Sequence, residues 1–196
     1  MSNNKRMAAL FISAMVTLAF SSTAFAQGMA TAGAQSPPEE PKPAVDVTKA
    51  MLEAAAKIGA AALKPGVSVS DRNIALSDTG GYNVTVAYVT RPATKVMSGT
   101  VLRHDKITEV YYVVSGHGTQ ITGTLVDGTK TTGSTTIGPG WSSTTPIKNG
   151  RATTLGPGEM QIIPPDTGHV WTEIAEGGIT YMTIRIDPEH VLALSK

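Results

Sequence analysis

From Val67 onward the chain is cut into short runs rich in β-branched and aromatic residues, with Gly, Pro, Asn or Asp between them. Runs this short leave no room for helices of ordinary length, and closely spaced strands of this kind predict a β-sandwich or barrel. The candidate strands are 83–89, 97–102, 109–115, 119–126, 158–163, 169–174 and 179–186. Gly80-Gly81, Asp127-Gly128 and Gly177-Gly178 punctuate them, and Gly128 is expected to supply the positive φ of a tight hairpin turn. The 20 glycines and the 5% aromatic content suit strands and turns better than a helical bundle. Residues 131–157 hold Thr, Ser, Gly and Pro around Trp141 and are expected to form a long loop, either a lid or a surface excursion.

The segment before Val67 is of another kind. Lys5 and Arg6, an apolar run over 7–20 and Ala24-Phe25-Ala26 before Gln27 have the layout of a secretory signal, with cleavage predicted after Ala26. The run is shorter than the roughly 20 residues a spanning helix needs, so the mature protein is expected in the periplasm or medium, without stable membrane insertion. Residues 27–45, with Pro37, Pro38, Pro41 and Pro43, read as a disordered Pro/Ala/Gly-rich linker. Residues 46–65 read as a helix packed outside the barrel. Asp46 or Thr48 could cap it, Met51, Leu52, Ala55, Ile58 and Ala62 share one face, and Pro65-Gly66 ends it. Residues 66–196 form the single remaining domain, of all-β class. With 196 residues there is little room for a second.

Charge and cysteine content exclude several functions. The formal net charge of +1 provides no basic surface for nucleic acid. The absence of cysteine rules out a thiol nucleophile, a cysteine-linked lipid anchor and any disulfide. No Gly-x-Ser-x-Gly elbow or phosphate-binding Gly-Lys-Ser/Thr loop is present.

Four histidines remain as candidate chemistry. His104 lies five residues before Glu109, and His169 follows Pro164-Pro165-Asp166-Thr167-Gly168. Two imidazoles and one carboxylate can hold one divalent ion (Fe, Mn, Zn or Ni) and leave coordination positions open. Strand alternation puts Tyr111 and Val113 on the face of Glu109, and Trp171 and Glu173 on the face of His169. Tyr111 could then move a proton near the site, and Trp171 could line it. Of the alternating Tyr181, Met182, Thr183, Ile184, Arg185 and Ile186, the apolar set is expected inside. With the polar set inward, Arg185 could pair with a substrate carboxylate. His117 is expected in an exposed turn, and His190 in the tail has no assigned role.

The run from His104 to Glu109, followed after six residues by Gly116, resembles the second half of the first cupin motif, H-x-H, three or four residues, E, six residues, G. The run from Gly158 through Pro164 to His169 resembles the second motif, G-x5-P-x-G-x2-H-x3-N. The resemblance spans about 96–173 and implies a double-stranded β-helix, or jelly-roll barrel, with metal roles for His104, Glu109 and His169. Three positions depart from it: Leu102 replaces the first His, Asp166 the Gly and Glu173 the Asn. Leu102 would then line the substrate pocket. The functions this leaves are a metal-dependent oxygenase, isomerase or lyase for a small oxygen-bearing molecule, or a non-catalytic sugar- or organic-acid-binding module with an emptied metal site. A homodimer formed by strand pairing is a third reading.

Overall fold

The structure, a computed structural model, describes residues 40–196. The expected leader and the linker up to residue 39 lie outside the described residues. The first element, α1 (Lys49–Ala62), starts where the Thr48 side chain accepts a hydrogen bond from the Met51 N–H at 3.3 Å, so Thr48 and not Asp46 is the cap. Ala55 and Gly59 are its buried residues. Ile58 and Ala62, expected on the packed face, point to solvent. Small residues set the contact stripe: a Cβ on Gly59 would come within 3.1 Å of Thr90 Oγ1, so the helix lies close against Thr90 there.

Nine strands follow: β1 (Ser70–Asp78), β2 (Asn83–Arg91), β3 (Val101–His104), β4 (Thr108–Gly123), β5 (Thr129–Thr131), β6 (Gly140–Ser143), β7 (Arg151–Leu155), β8 (Met160–Ile163) and β9 (Gly168–Asp187). Their pairings are antiparallel. Two long strands, β4 and β9, pair along most of their length and take part in two sheets. In one, the order is β1-β2-β9-β4-β8; in the other, β7-β4-β9-β3-β6-β5. This is a jelly roll with one helix outside. No pairing among the described residues closes the path that ends at β1 and β5.

The long strands pass from sheet to sheet where their register shifts, at Val113/Ser115 and Gly116/Gly118. Gly116 has φ 73°, and a Cβ there would collide with the Gly178 carbonyl oxygen. Glycine at this corner therefore lets both strands bend without breaking. For that reason the four candidate strands 109–115, 119–126, 169–174 and 179–186 are two continuous strands, and His117 is exposed within β4 and not in a turn.

Other expectations need correction. The segment 131–157 is not one long loop, because β6 and β7 lie in it and pair with β3 and β4. Sequence alone also missed β1, whose Ser, Asp, Arg and Asn hide a strand that pairs on one side only. At the 127–128 turn Asp127, with φ 50°, takes the left-handed conformation expected of Gly128.

The main core lies between the sheets and includes Val89, Tyr111, Val113, Leu155, Ile163, Trp171, Ile174 and Tyr181. A second cluster, Val101, Ile147 and Val170, lies beyond the second sheet. The first sheet's inner face is the unexpected one. Tyr181, Thr183 and Arg185 are buried, while Ile186 is 38% exposed. The apolar-inside expectation for this part of β9 fails because Tyr181 and Arg185 find hydrogen-bonded and charged partners that offset their desolvation, while Thr183 Oγ1 finds none among the described residues.

Candidate metal centre

The last residue of β3, the second of β4 and the second of β9 bring their side chains to one place inside the roll. His104, Glu109 and His169 are all buried, and their ligand atoms lie within 4.8 Å of one another. Glu109 Oε2 is 3.4 Å from His104 Nε2 and 3.2 Å from His169 Nε2. Ligands held about 2.0–2.2 Å from one ion would be about 3–3.5 Å apart, so these spacings suit a shared ion. The turn before β9 locks the arrangement, since the Asp166 N–H donates to the His104 carbonyl at 2.8 Å. Asp166 stands where the motif has Gly, and its φ of 60° shows why glycine suits that place.

The donor chemistry fits a cation as well. His169 Nδ1 lies 3.1 Å from the Thr167 carbonyl, a group that can only accept, so Nδ1 carries the proton. In the neutral ring Nε2 then offers a lone pair, and it faces a carboxylate oxygen. The 3.2 Å contact has the length of a hydrogen bond and equally of two ligands of one ion, and a carbonyl-anchored imidazole is a usual metal ligand.

Arg185 fixes the other side of Glu109. The two residues are directly opposite across β4 and β9, and Arg185 Nε donates to Glu109 Oε1 at 2.9 Å. Its Nη1 donates to Asp71, Asn73 and the Thr136 carbonyl, and its Nη2 donates to Asp71 at 2.6 Å. Arg185 is thus directed to protein partners and not to a substrate carboxylate. Only Oε2 of Glu109 remains turned toward the imidazoles. Burial works to raise the Glu109 pKa, but His104, Arg185 and hydrogen bonds from both histidines outweigh it and hold the carboxyl well below its ordinary range. Burial likewise opposes the Arg185 charge, yet Asp71 and Glu109 raise its pKa further.

Tyr111 Oη donates to Glu109 Oε2 at 3.2 Å. Burial, Glu109 and Tyr181 push its pKa well above the usual value, so its proton stays on. Trp171 is 1% exposed, stacks on Tyr111 with ring centres 6.3 Å apart and donates Nε1–H to Tyr181 Oη at 3.3 Å. It walls the site from below. Leu102 is directly opposite His169 on the β3–β9 pair, so an apolar side chain stands beside the cluster where the motif has its first histidine.

Glu173 leaves this face. A register shift at Thr119/Gln120 reverses the alternation after Trp171, and Glu173 turns outward to Lys95 at 2.8 Å. His190 Nδ1 lies 3.0 Å from Asn83 Oδ1, away from the cluster. Sequence reasoning missed Asp71, Asn73, Gln120 and Gln161. For the two glutamines the sequence held no local signal, since they meet Trp171 and Tyr111 only through strand pairing. For Asp71 and Asn73 there was none either, since their strand went unrecognised.

Fold and site together define a cupin-type jelly roll with a candidate mononuclear metal centre. No protein-family model matches the sequence, and no curated protein matches it. Among solved structures, KdgF from Halomonas sp. is similar at 16% identity and TM-score 0.39, over 65% of this chain and 84% of that one. An oxalate oxidase is similar at 19% identity and TM-score 0.40, over 64% and 53%. A Streptomyces nucleoside dehydratase is similar at 16% identity and TM-score 0.31, over 58% and 75%.

Proposed function

We propose that the protein is an exported enzyme that uses one divalent metal ion to act on a small oxygen-bearing molecule. The observation that carries this reading is the buried convergence of His104 Nε2, His169 Nε2 and a single oxygen of Glu109. A bound ion would supply Lewis acidity toward a substrate oxygen. The chain's own residues do the rest. Arg185 holds Glu109 to one orientation, Tyr111 keeps a proton at Oη next to the carboxylate, and Trp171 and Tyr181 keep bulk water from below. A proton held this firmly suits a hydrogen-bond donor and not a base, so Tyr111 would steady charge on a bound oxygen by donating a hydrogen bond. Export rests on the charged, apolar and small-residue order of the first 26 residues.

The test is combined mass and elemental analysis of protein recovered from the periplasmic or extracellular fraction of its host. The expected result is a chain starting at Gln27 with about one equivalent of Fe, Mn, Zn or Ni, falling below about a tenth in His104→Ala and His169→Ala. Metal-free wild-type protein from a metal-replete host, with a melting temperature unmoved by any of the four ions, overturns the reading.

A further inference from the structure

The inner faces of both sheets hold polar atoms that nothing else uses. Gln120 is fully buried, yet neither its Nε2 nor its Oε1 finds a hydrogen-bond partner among the described residues. Gln161 Oε1, Thr153 Oγ1 and Thr183 Oγ1 are unpartnered in the same way. A buried amide or hydroxyl without a partner carries its full desolvation cost, so a concentration of them needs a reason.

Their register gives the reason. On β4, Gln120 is opposite Trp171 and Thr122 is opposite His169, so Gln120 is the diagonal neighbour of His169. Thr153 is opposite Gln120 on its other side. On the facing sheet Gln161 is opposite Tyr111 and Ile163 is opposite Glu109, so Gln161 is the diagonal neighbour of Glu109. Diagonal positions lie about 7–8 Å apart, within reach of a long side chain. Two carboxamides with unpartnered buried atoms, both polar atoms of Gln120 and Oε1 of Gln161, thus stand diagonal to members of the cluster, one from each sheet.

We infer that Gln120 and Gln161 recognise the substrate of this centre, and that the substrate is a neutral, hydroxyl-rich small molecule of the polyol or sugar type. This rests on the reading of the cluster as a metal centre. An amide offers both a donor and an acceptor, as does each hydroxyl, so the two groups satisfy one another. The threonine hydroxyls extend the same chemistry. Beyond the ion itself an anionic substrate would call for a free guanidinium on this inner face, and those of Arg185 and Arg91 are engaged: Arg185 is bonded to Glu109, Asp71, Asn73 and the Thr136 carbonyl, and Arg91 to Tyr181 Oη and to Ser98.

The test compares wild type, Gln120→Leu and Gln161→Leu by calorimetric titration with erythritol and D-xylose as neutral probes and malonate as the anionic one. Metal content and melting temperature are read on every sample. Either substitution should weaken binding of the neutral probes at least tenfold, with malonate affinity changed less than twofold and metal content unchanged. Because Leu removes an unpartnered amide, each variant should also melt at or above the wild-type temperature. Wild type that binds neither neutral probe, or variants that bind them as wild type does, overturn the inference. So does a lowered melting temperature with binding intact, which makes the amides structural. A metal-free wild type would sink the metal reading alone: neutral probes that still bind it and are lost in Gln120→Leu uphold the amide site, and their failure to bind overturns it.

Discussion

At the residue scale, Glu109 joins three demands that rarely coincide: full burial, ionisation and one oxygen left for a ligand role. Arg185 makes the combination tolerable by neutralising Oε1 from directly across the strand pair. The consequence for stability has a definite sign. The folded Glu109 pKa lies below the ordinary glutamate value of about 4.3, so its contribution is complete above that pH and is lost as pH falls toward the folded value. The melting temperature of metal-free protein should therefore drop between about pH 5 and pH 3, and drop less steeply in Glu109→Gln. Thermal melts across that range check it, and parallel curves for the two proteins would contradict it. The sequence made His104, Glu109, His169 and Tyr111 readable, because their spacing and parity are local. It could not show what Arg185 does, since Asp71 is 114 residues away and belongs to a strand without a clear alternation.

At the scale of elements, the bends in β4 and β9 decide the architecture. They let one strand pair contribute Glu109 and Arg185 to one sheet and Gln120, Thr122, His169 and Trp171 to the other. Gly116 should be sensitive to any side chain, given its positive φ and the Gly178 carbonyl in its path. Gly116→Ala is expected to lose at least about 2 kcal/mol, with Gly81→Ala near neutral because nothing lies within 4 Å of its added Cβ. Guanidinium unfolding of both checks this, and equal stabilities would contradict it. Turn residues correctly marked where the chain changes direction. They did not distinguish a loop from a bend inside a strand, because Gly serves both, as Ser115-Gly116-His117-Gly118 and Gly177-Gly178 show. Parity was equally local: it held from Glu109 to Val113 and failed at Glu173, after the register shift.

At the scale of the whole molecule, the jelly roll turns three positions separated in sequence into one buried centre, with α1 covering part of the outside through Ala55 and Gly59. All-β class, outer helix and cluster were legible because strand spacing, helix caps and ligand types are properties of short segments. The interior network was not, because it depends on which strands become neighbours. The measurement closest to the central claim is X-ray absorption on protein loaded with one equivalent of zinc or iron. The account predicts a nitrogen and oxygen shell at about 2.0–2.2 Å with outer scattering from two imidazoles, one of them lost in His169→Ala. A spectrum of solvated ion without imidazole scattering would contradict it.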